Sequence, residues 1–142
     1  MDKLNLSVLN VQLTDLSIFP TQNGDVLHAL KKSDHDGFQF GEVYFSFIEQ
    51  FAVKAWKKHK EMTLNLIVPI GSVRFVFHDL FSEQFLEVEL STSNYKRLTI
   101  PPNLWFGFQG LGEKNMVVNV ASHEHDPDEV ETIDRQDLNF KW

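Results

Sequence analysis

The chain contains no cysteine. Disulfides, thiolate nucleophiles and zinc–thiolate sites are excluded together, and the composition fits a reducing compartment. No apolar run approaches the roughly 20 residues that a membrane-spanning helix needs. The N-terminus, Asp2 and Lys3 ahead of alternating Leu4, Leu6 and Val8, does not read as a signal peptide. A cytoplasmic protein with no membrane partner is the expectation. Positive charge is also short, with 13 Lys and Arg against 20 Asp and Glu and a formal net charge of -7. The acidic excess gathers in Glu124, Asp126, Asp128, Glu129, Glu131, Asp134 and Asp137, a stretch that reads as solvated surface. Such a balance repels nucleic-acid phosphate, so no nucleic-acid partner is expected, and any phosphate-bearing ligand has to be small and held by local cations.

What is abundant is Phe, with 13 copies, whereas helix-forming Ala is scarce. Apolar residues recur at period two far more than at 3.6, which predicts strands. They are expected near Val8 to Asp15, Leu27 to Lys31, Gly41 to Phe47, Ala52 to His59, Met62 to Pro69, Ser72 to Asp79, Phe85 to Leu90, Lys96 to Ile100, Trp105 to Gln109 and Asn115 to Ser122. Turn residues separate them at Pro20 to Gly24, Asp34 to Gly37, Pro69 to Gly71, Ser91 to Asn94 and Gly110 to Gly112. At 142 residues, with no linker and no low-complexity tract, the pattern predicts one all-β domain over residues 1–142. A jelly-roll sandwich or barrel manages that many strand edges. One helical turn is expected around Asp126 to Asp134, with Pro127 in its first turn.

The stretch from Leu90 to Phe108 contains a recognisable motif: Leu90-Ser91, Asn94, Leu98, Ile100-Pro101 and Gly107-Phe108. It resembles the dTDP-4-dehydrorhamnose 3,5-epimerase family, cupin-fold enzymes in which this segment reads Leu-Ser-x-x-Asn-x-x-x-Leu-x-Ile-Pro-x-Gly-x-x-His-Gly-Phe. Asn103 replaces the family's Gly, and Phe106 its His. The likeness extends from about Leu13 to Trp142. Gly71 to Asp79 is similar to the family's Gly-x-Val-x-Asp-Val-x-Val-Asp strand, His125-Asp126-Pro127-Asp128 to its Tyr-x-Pro-Glu stretch, and Leu138 to Trp142 to its closing Ile-x-Trp. The resemblance implies a cupin-type jelly roll, a homodimer, and an isomerase acting on a nucleotide-linked 4-keto-6-deoxyhexose in surface-polysaccharide sugar synthesis. It implies no cofactor.

That chemistry removes a proton beside a keto group, which needs a base, a group stabilising the enolate oxygen and an acid. Lys54-Ala55-Trp56-Lys57-Lys58-His59 lies where the family has Arg-Gly-Leu-His-x-Gln, so Lys57 stands in place of the catalytic His. Related sugar-nucleotide 3,4-ketoisomerases carry Arg-Gly-x-His-Ala-His-Lys, and His59-Lys60 falls on the second His and its Lys. His59 is therefore the candidate base, with Lys57 on the enolate oxygen. In a regular strand Lys57, His59 and Ala55 share a face, whereas Lys54 and Trp56 reach it only across a bulge. Asn119 falls on the family's acid Tyr and is expected to orient the sugar. Candidate substrate contacts are Lys54, Trp56, Arg74, Trp105, His123 and His125, with Arg74 a diphosphate ligand. A metal is not expected, because the cupin ligand set is broken at Glu61 and Phe106. Two alternatives stand beside the epimerase reading: a 3,4-ketoisomerase on the same substrate class, and a sugar-binding cupin without catalysis. A structural subunit paired with an active homologue is a third.

Overall fold

A computed structural model describes residues 6–34 and 39–142, with the backbone alone at residues 7 and 8. Two five-stranded sheets face each other. The first contains β1 (Gln12–Asp15), β4 (Glu42–Glu49), β6 (Leu64–Ile70), β9 (Lys96–Ile100) and β11 (Lys114–Ala121), in the order β1-β9-β6-β11-β4. The second contains β5 (Val53–His59), β7 (Ser72–His78), β8 (Phe85–Ser91), β10 (Trp105–Gly110) and β12 (Val130–Thr132), in the order β12-β5-β10-β7-β8. A short ribbon pairs β2 (Ile18–Phe19) with β3 (Val26–Leu27). Every pairing between named strands is antiparallel. This is the all-β sandwich that the period-two pattern predicts. Among the described residues no helix is long and apolar enough to cross a membrane.

Alternation places the core. On β7, Val73, Phe75 and Phe77 turn inward to meet Leu64, Leu66 and Val68 of β6 and Leu98 and Ile100 of β9. The intervening Val76 and His78 face outward. Residues at period two on a strand alternate between faces, so one strand serves two apolar layers. The second layer lies on the outer face of the second sheet, where Trp56, Val76 and Trp105 are covered by Phe85, Ile133, Leu138, Phe140 and Trp142. The C-terminal segment thus closes an outer face that would otherwise expose two indoles.

Several local expectations are corrected. β1 starts at Gln12, and Leu6–Leu9 ahead of it form a 3-10 turn. Of the strand expected over Leu27 to Lys31 only Leu27 is paired, as the second residue of β3, and Lys32–Asp34 is a 3-10 turn. Of the turn expected over Asp34 to Gly37, residues 35–37 lie outside the described residues. The helical turn near Asp126 shrinks to Pro127–Glu129, capped by the Asp126 side chain accepting from the Asp128 amide, because Val130–Thr132 is taken into the sheet against β5. The abundant Phe divides between core and surface: Phe75 and Phe77 are buried, whereas Phe45 and Phe47 on β4 are 62% and 70% exposed.

Trp56 was expected as a substrate contact, and its position overturns that. The indole is fully buried in the outer layer, 5.2 Å from the Trp142 ring, and its Nε1 donates to the Arg135 carbonyl at 3.0 Å. Trp56→Ala should therefore cost about 3–5 kcal/mol of folding stability, read as a shift of the urea midpoint, with the unfolding slope unchanged.

Candidate active site

The site is organised by an irregularity in β5. Phe106 pairs with Lys57 and Phe108 with Lys54, but Gly107 pairs with Ala55, so Trp56 is an extra residue without an opposite number on β10. The β-bulge resets the alternation. Lys54, Lys57 and His59 consequently all line one cavity between the sheets, while Ala55 and Trp56 pack on the outer layer. The bulge carries Lys54 into the site, as its parity required, but takes Ala55 away from the face it was expected to share with Lys57. Gly107 permits this, since a Cβ there would lie 2.5 Å from the Cβ of Ala55. Lys58 points outward, 2.9 Å from Glu131 and over the Trp105 ring.

The cavity measures roughly 160 Å³. Its polar lining is Tyr44, Ser46, Lys54, Lys57, His59, Asn119 and His125, and its floor is apolar, with Leu64, Leu66 and Phe108. The two sheets contribute differently. Lys54, Lys57 and His59 come from β5 in the second sheet, the hydroxyl and amide groups of Tyr44, Ser46 and Asn119 come from β4 and β11 in the first, and His125 comes from the segment after β11.

His59 is held by a carboxylate that the sequence did not single out. Glu129 Oε1 lies 2.5 Å from His59 Nδ1, and Glu129 Oε2 accepts from the backbone amides of Glu61 and Met62, each at 3.0 Å. Both side chains are nearly buried, 11% and 9% exposed. A carboxylate on Nδ1 selects the tautomer with its proton there, which leaves Nε2 as the nitrogen with a free lone pair. Phe106, where the resembled family has His, stacks on the His59 ring. Burial pushes the Glu129 carboxyl up. The hydrogen bond from His59 and the two amides outweigh burial and hold the carboxyl below its ordinary value of 4.5.

On the opposite wall Tyr44 and Asn119 are direct cross-strand partners, and Asn119 Nδ2 donates to the Tyr44 hydroxyl at 2.7 Å. Tyr44 and Ser46 are inward positions of β4, alternating with Val43, Phe45 and Phe47 on the outer face. That alternation is legible in the sequence and could have nominated Tyr44. Glu129 had no such signal, being one acid in an acidic run.

Three expected contacts besides Trp56 lie elsewhere. Arg74 is on the outer face of β7, bound to Glu87 and Gln109 and set against the rings of Phe140 and Trp142, because its parity is opposite to that of Phe75. Trp105 belongs to the outer aromatic layer with Trp56. His123 does not line the cavity; its Nδ1 is 2.7 Å from the Ser122 hydroxyl. Of the expected substrate contacts, the cavity therefore gathers Lys54 and His125 and not Trp56, Arg74, Trp105 or His123.

Residues 9–137 match the family described as WxcM-like, C-terminal (FdtA). The chain belongs to this family. A crystal structure of a dTDP sugar isomerase from Desulfovibrio desulfuricans is 35% identical, with 93% of this chain and 90% of that one covered and a TM-score of 0.86. The Mycobacterium tuberculosis rmlC epimerase shares the fold at 18% identity, covering 100% of this chain and 78% of that one, TM-score 0.81. The 3,4-ketoisomerase QdtA from Thermoanaerobacterium thermosaccharolyticum, solved as a mutant with TDP-4-keto-6-deoxyglucose, does so at 20% identity, with 86% of each chain covered and a TM-score of 0.74. No curated protein sequence matches the chain. Both the family match and these structures agree with the resemblance to epimerase-like sugar-nucleotide cupins, and with the cupin-type sandwich that it implies.

The Glu129 contacts generate a pH prediction. A carboxyl whose folded pKa is depressed stabilises the fold above its ordinary value and loses that contribution as pH falls through the folded value. Glu129→Gln should lower stability at pH 7 by about 1–3 kcal/mol, and its stability should fall less steeply than wild type once the pH drops below 4.5. Denaturant melts across the acid range check this, and parallel curves would contradict it.

Proposed function

We propose that this chain is an isomerase of a nucleotide-linked 4-keto-6-deoxyhexose that works by proton abstraction beside the keto group. The observation that supports this reading best is the imidazole locked by Glu129 on one wall of a sugar-sized cavity, opposite a phenol on the other wall. His59 Nε2 takes the proton from carbon, and the bond pair moves into the carbonyl to give an enolate. Lys57, on the same wall and in no ion pair among the described residues, is placed to stabilise the enolate oxygen. Tyr44 returns a proton. Protonation of the same carbon from the other face gives an epimer, and transfer within the enediol gives the 3,4-keto isomer.

Lys54 and His125 complete the cationic side and suit the diphosphate, a role that Arg74 cannot fill from the outer face. The ketoisomerase outcome has a specific observation in its favour. The imidazole is at position 59, in the place of the second His of the ketoisomerase pattern, whereas position 57 carries Lys. We place the reaction in the cytoplasm, supplying a sugar for surface polysaccharide.

The test is solvent deuterium incorporation into dTDP-4-keto-6-deoxyglucose. With wild type, incorporation is expected at C3 or C5 if the carbon is epimerised and at C4 if the ketone moves to C3, and either should fall by about 10²-fold or more in His59→Ala. The position of the keto group in the product then separates epimerisation from ketone transfer. Tight binding with neither incorporation nor movement of the keto group would leave a sugar-binding cupin and end the enzymatic reading.

We also propose a homodimer. β4 is the edge of its sheet, with Glu42 and Glu49 at its ends and uncharged residues between. Its outward side chains Val43, Phe45 and Phe47 are 48%, 62% and 70% exposed, and Ile70 continues the patch. An apolar edge of this length invites a second chain. Light scattering at micromolar concentration should give a dimer and Phe45→Arg with Phe47→Arg a monomer; a wild-type monomer would remove the proposal.

A further inference from the structure

We propose that Asn119 is a positioning residue for Tyr44: its side-chain N–H donates to the phenol oxygen and thereby turns the phenol O–H into the cavity, toward the wall that carries His59. The proton-donor part of this inference rests on the reading of the cavity as a proton-transfer site; the hydrogen bond and its direction do not.

Three observations carry it. The two residues are opposite one another in the β4–β11 register, so backbone pairing fixes their separation. Asn119 is 4% exposed, and its Nδ2 is 2.7 Å from the Tyr44 oxygen. Among the described residues Asn119 Oδ1 is buried with no partner. The last point sets the direction of the bond. Turned the other way, the amide would accept the phenol proton and leave its own N–H groups buried and unmet, and orphaned buried donors are rarer than under-satisfied carbonyl oxygens.

The consequence is chemical. When Tyr44 gives its proton to the carbon of an enolate, its O–H bond breaks and the electron pair stays on the phenolate oxygen. The Asn119 N–H already points at that oxygen and strengthens its hydrogen bond as charge develops. A second effect acts on the resting phenol. Burial pushes the Tyr44 hydroxyl above its ordinary value, Asn119 opposes this, and Glu42 on the same strand adds to the rise. Facing the phenol across the cavity are Lys54, Lys57 and His59 from β5, with His125 beyond β11. Asn119 thus differs from the role expected for it, since the group it holds is a side chain of the protein and not a hydroxyl of the sugar.

The chain has only two tyrosines, so tyrosinate absorbance of a Tyr95→Phe variant reports Tyr44 alone. In that background Asn119→Leu should raise the midpoint by roughly one unit. Asn119→Asp, which keeps the volume but replaces a donor with an acceptor, should raise it further and serves if the Leu variant fails to fold. A midpoint that stays or falls would overturn the direction of the bond. Kinetics supply the second readout. With deuterium incorporation as the assay, Asn119→Leu should lower kcat with little change in KM, and should add nothing in a Tyr44→Phe background. A raised KM, or losses that add, would show that Asn119 binds the sugar directly and would overturn the proposal. A raised midpoint in a protein that incorporates no deuterium would keep the hydrogen bond and remove the proton-donor role.

Discussion

The site depends on a single buried carboxylate. Glu129 fastens three groups at once, the imidazole of His59 and the amides of Glu61 and Met62, and so joins the end of β5 to the turn that starts β6. The 3-10 turn that delivers it is itself held, with Pro127 at its start, an Asp126 cap, and the Lys60 amide donating to the Glu129 carbonyl. A charged carboxylate is costly to bury unless its oxygens are met by donors. Here both oxygens are met, and the imidazole is one of the donors. Removing the carboxylate would release the ring, the turn and the start of β12 together.

The second constraint is the bulge at Trp56. An unbroken β5 would alternate Lys57 and His59 with Lys54 on opposite faces. One extra residue lets the indole reach the outer aromatic layer while three basic side chains still share the cavity. Stability and chemistry are therefore linked in one strand: the same irregularity that buries Trp56 assembles the cationic wall. The C-terminal segment takes part, because Ile133, Phe140 and Trp142 cover the indole and Trp56 exchanges backbone hydrogen bonds with Ile133.

Much of the fold was legible in the sequence. The apolar pattern and the turn residues found β4 to β11, and Val73, Phe75 and Phe77 set the inner face of β7. Short ribbons such as β2–β3 and β12 carry too few residues for any period to show. The site was half legible. His59, Lys57, Lys54, Asn119 and His125 come together in the cavity, whereas Trp56, Arg74, Trp105 and His123 do not. Arg74 misled because a strand Arg near a presumed ligand site reads the same on either face until the register is known. Trp56 misled because a bulge can turn a side chain either way, and only the aromatic cover supplied from far along the chain decides which. Glu129 was hidden among six other acids, and what distinguishes it is the local turn that points it inward.

Glu129 fixes His59 with the Nδ1 proton toward the carboxylate and the Nε2 lone pair toward the cavity. Long-range nitrogen–proton correlation spectra resolve the tautomer of each neutral histidine, and a His59→Gln variant assigns the signal among the six. Neutral His59 should carry its proton on Nδ1 and lose that preference in Glu129→Gln. A neutral His59 protonated on Nε2 would contradict it.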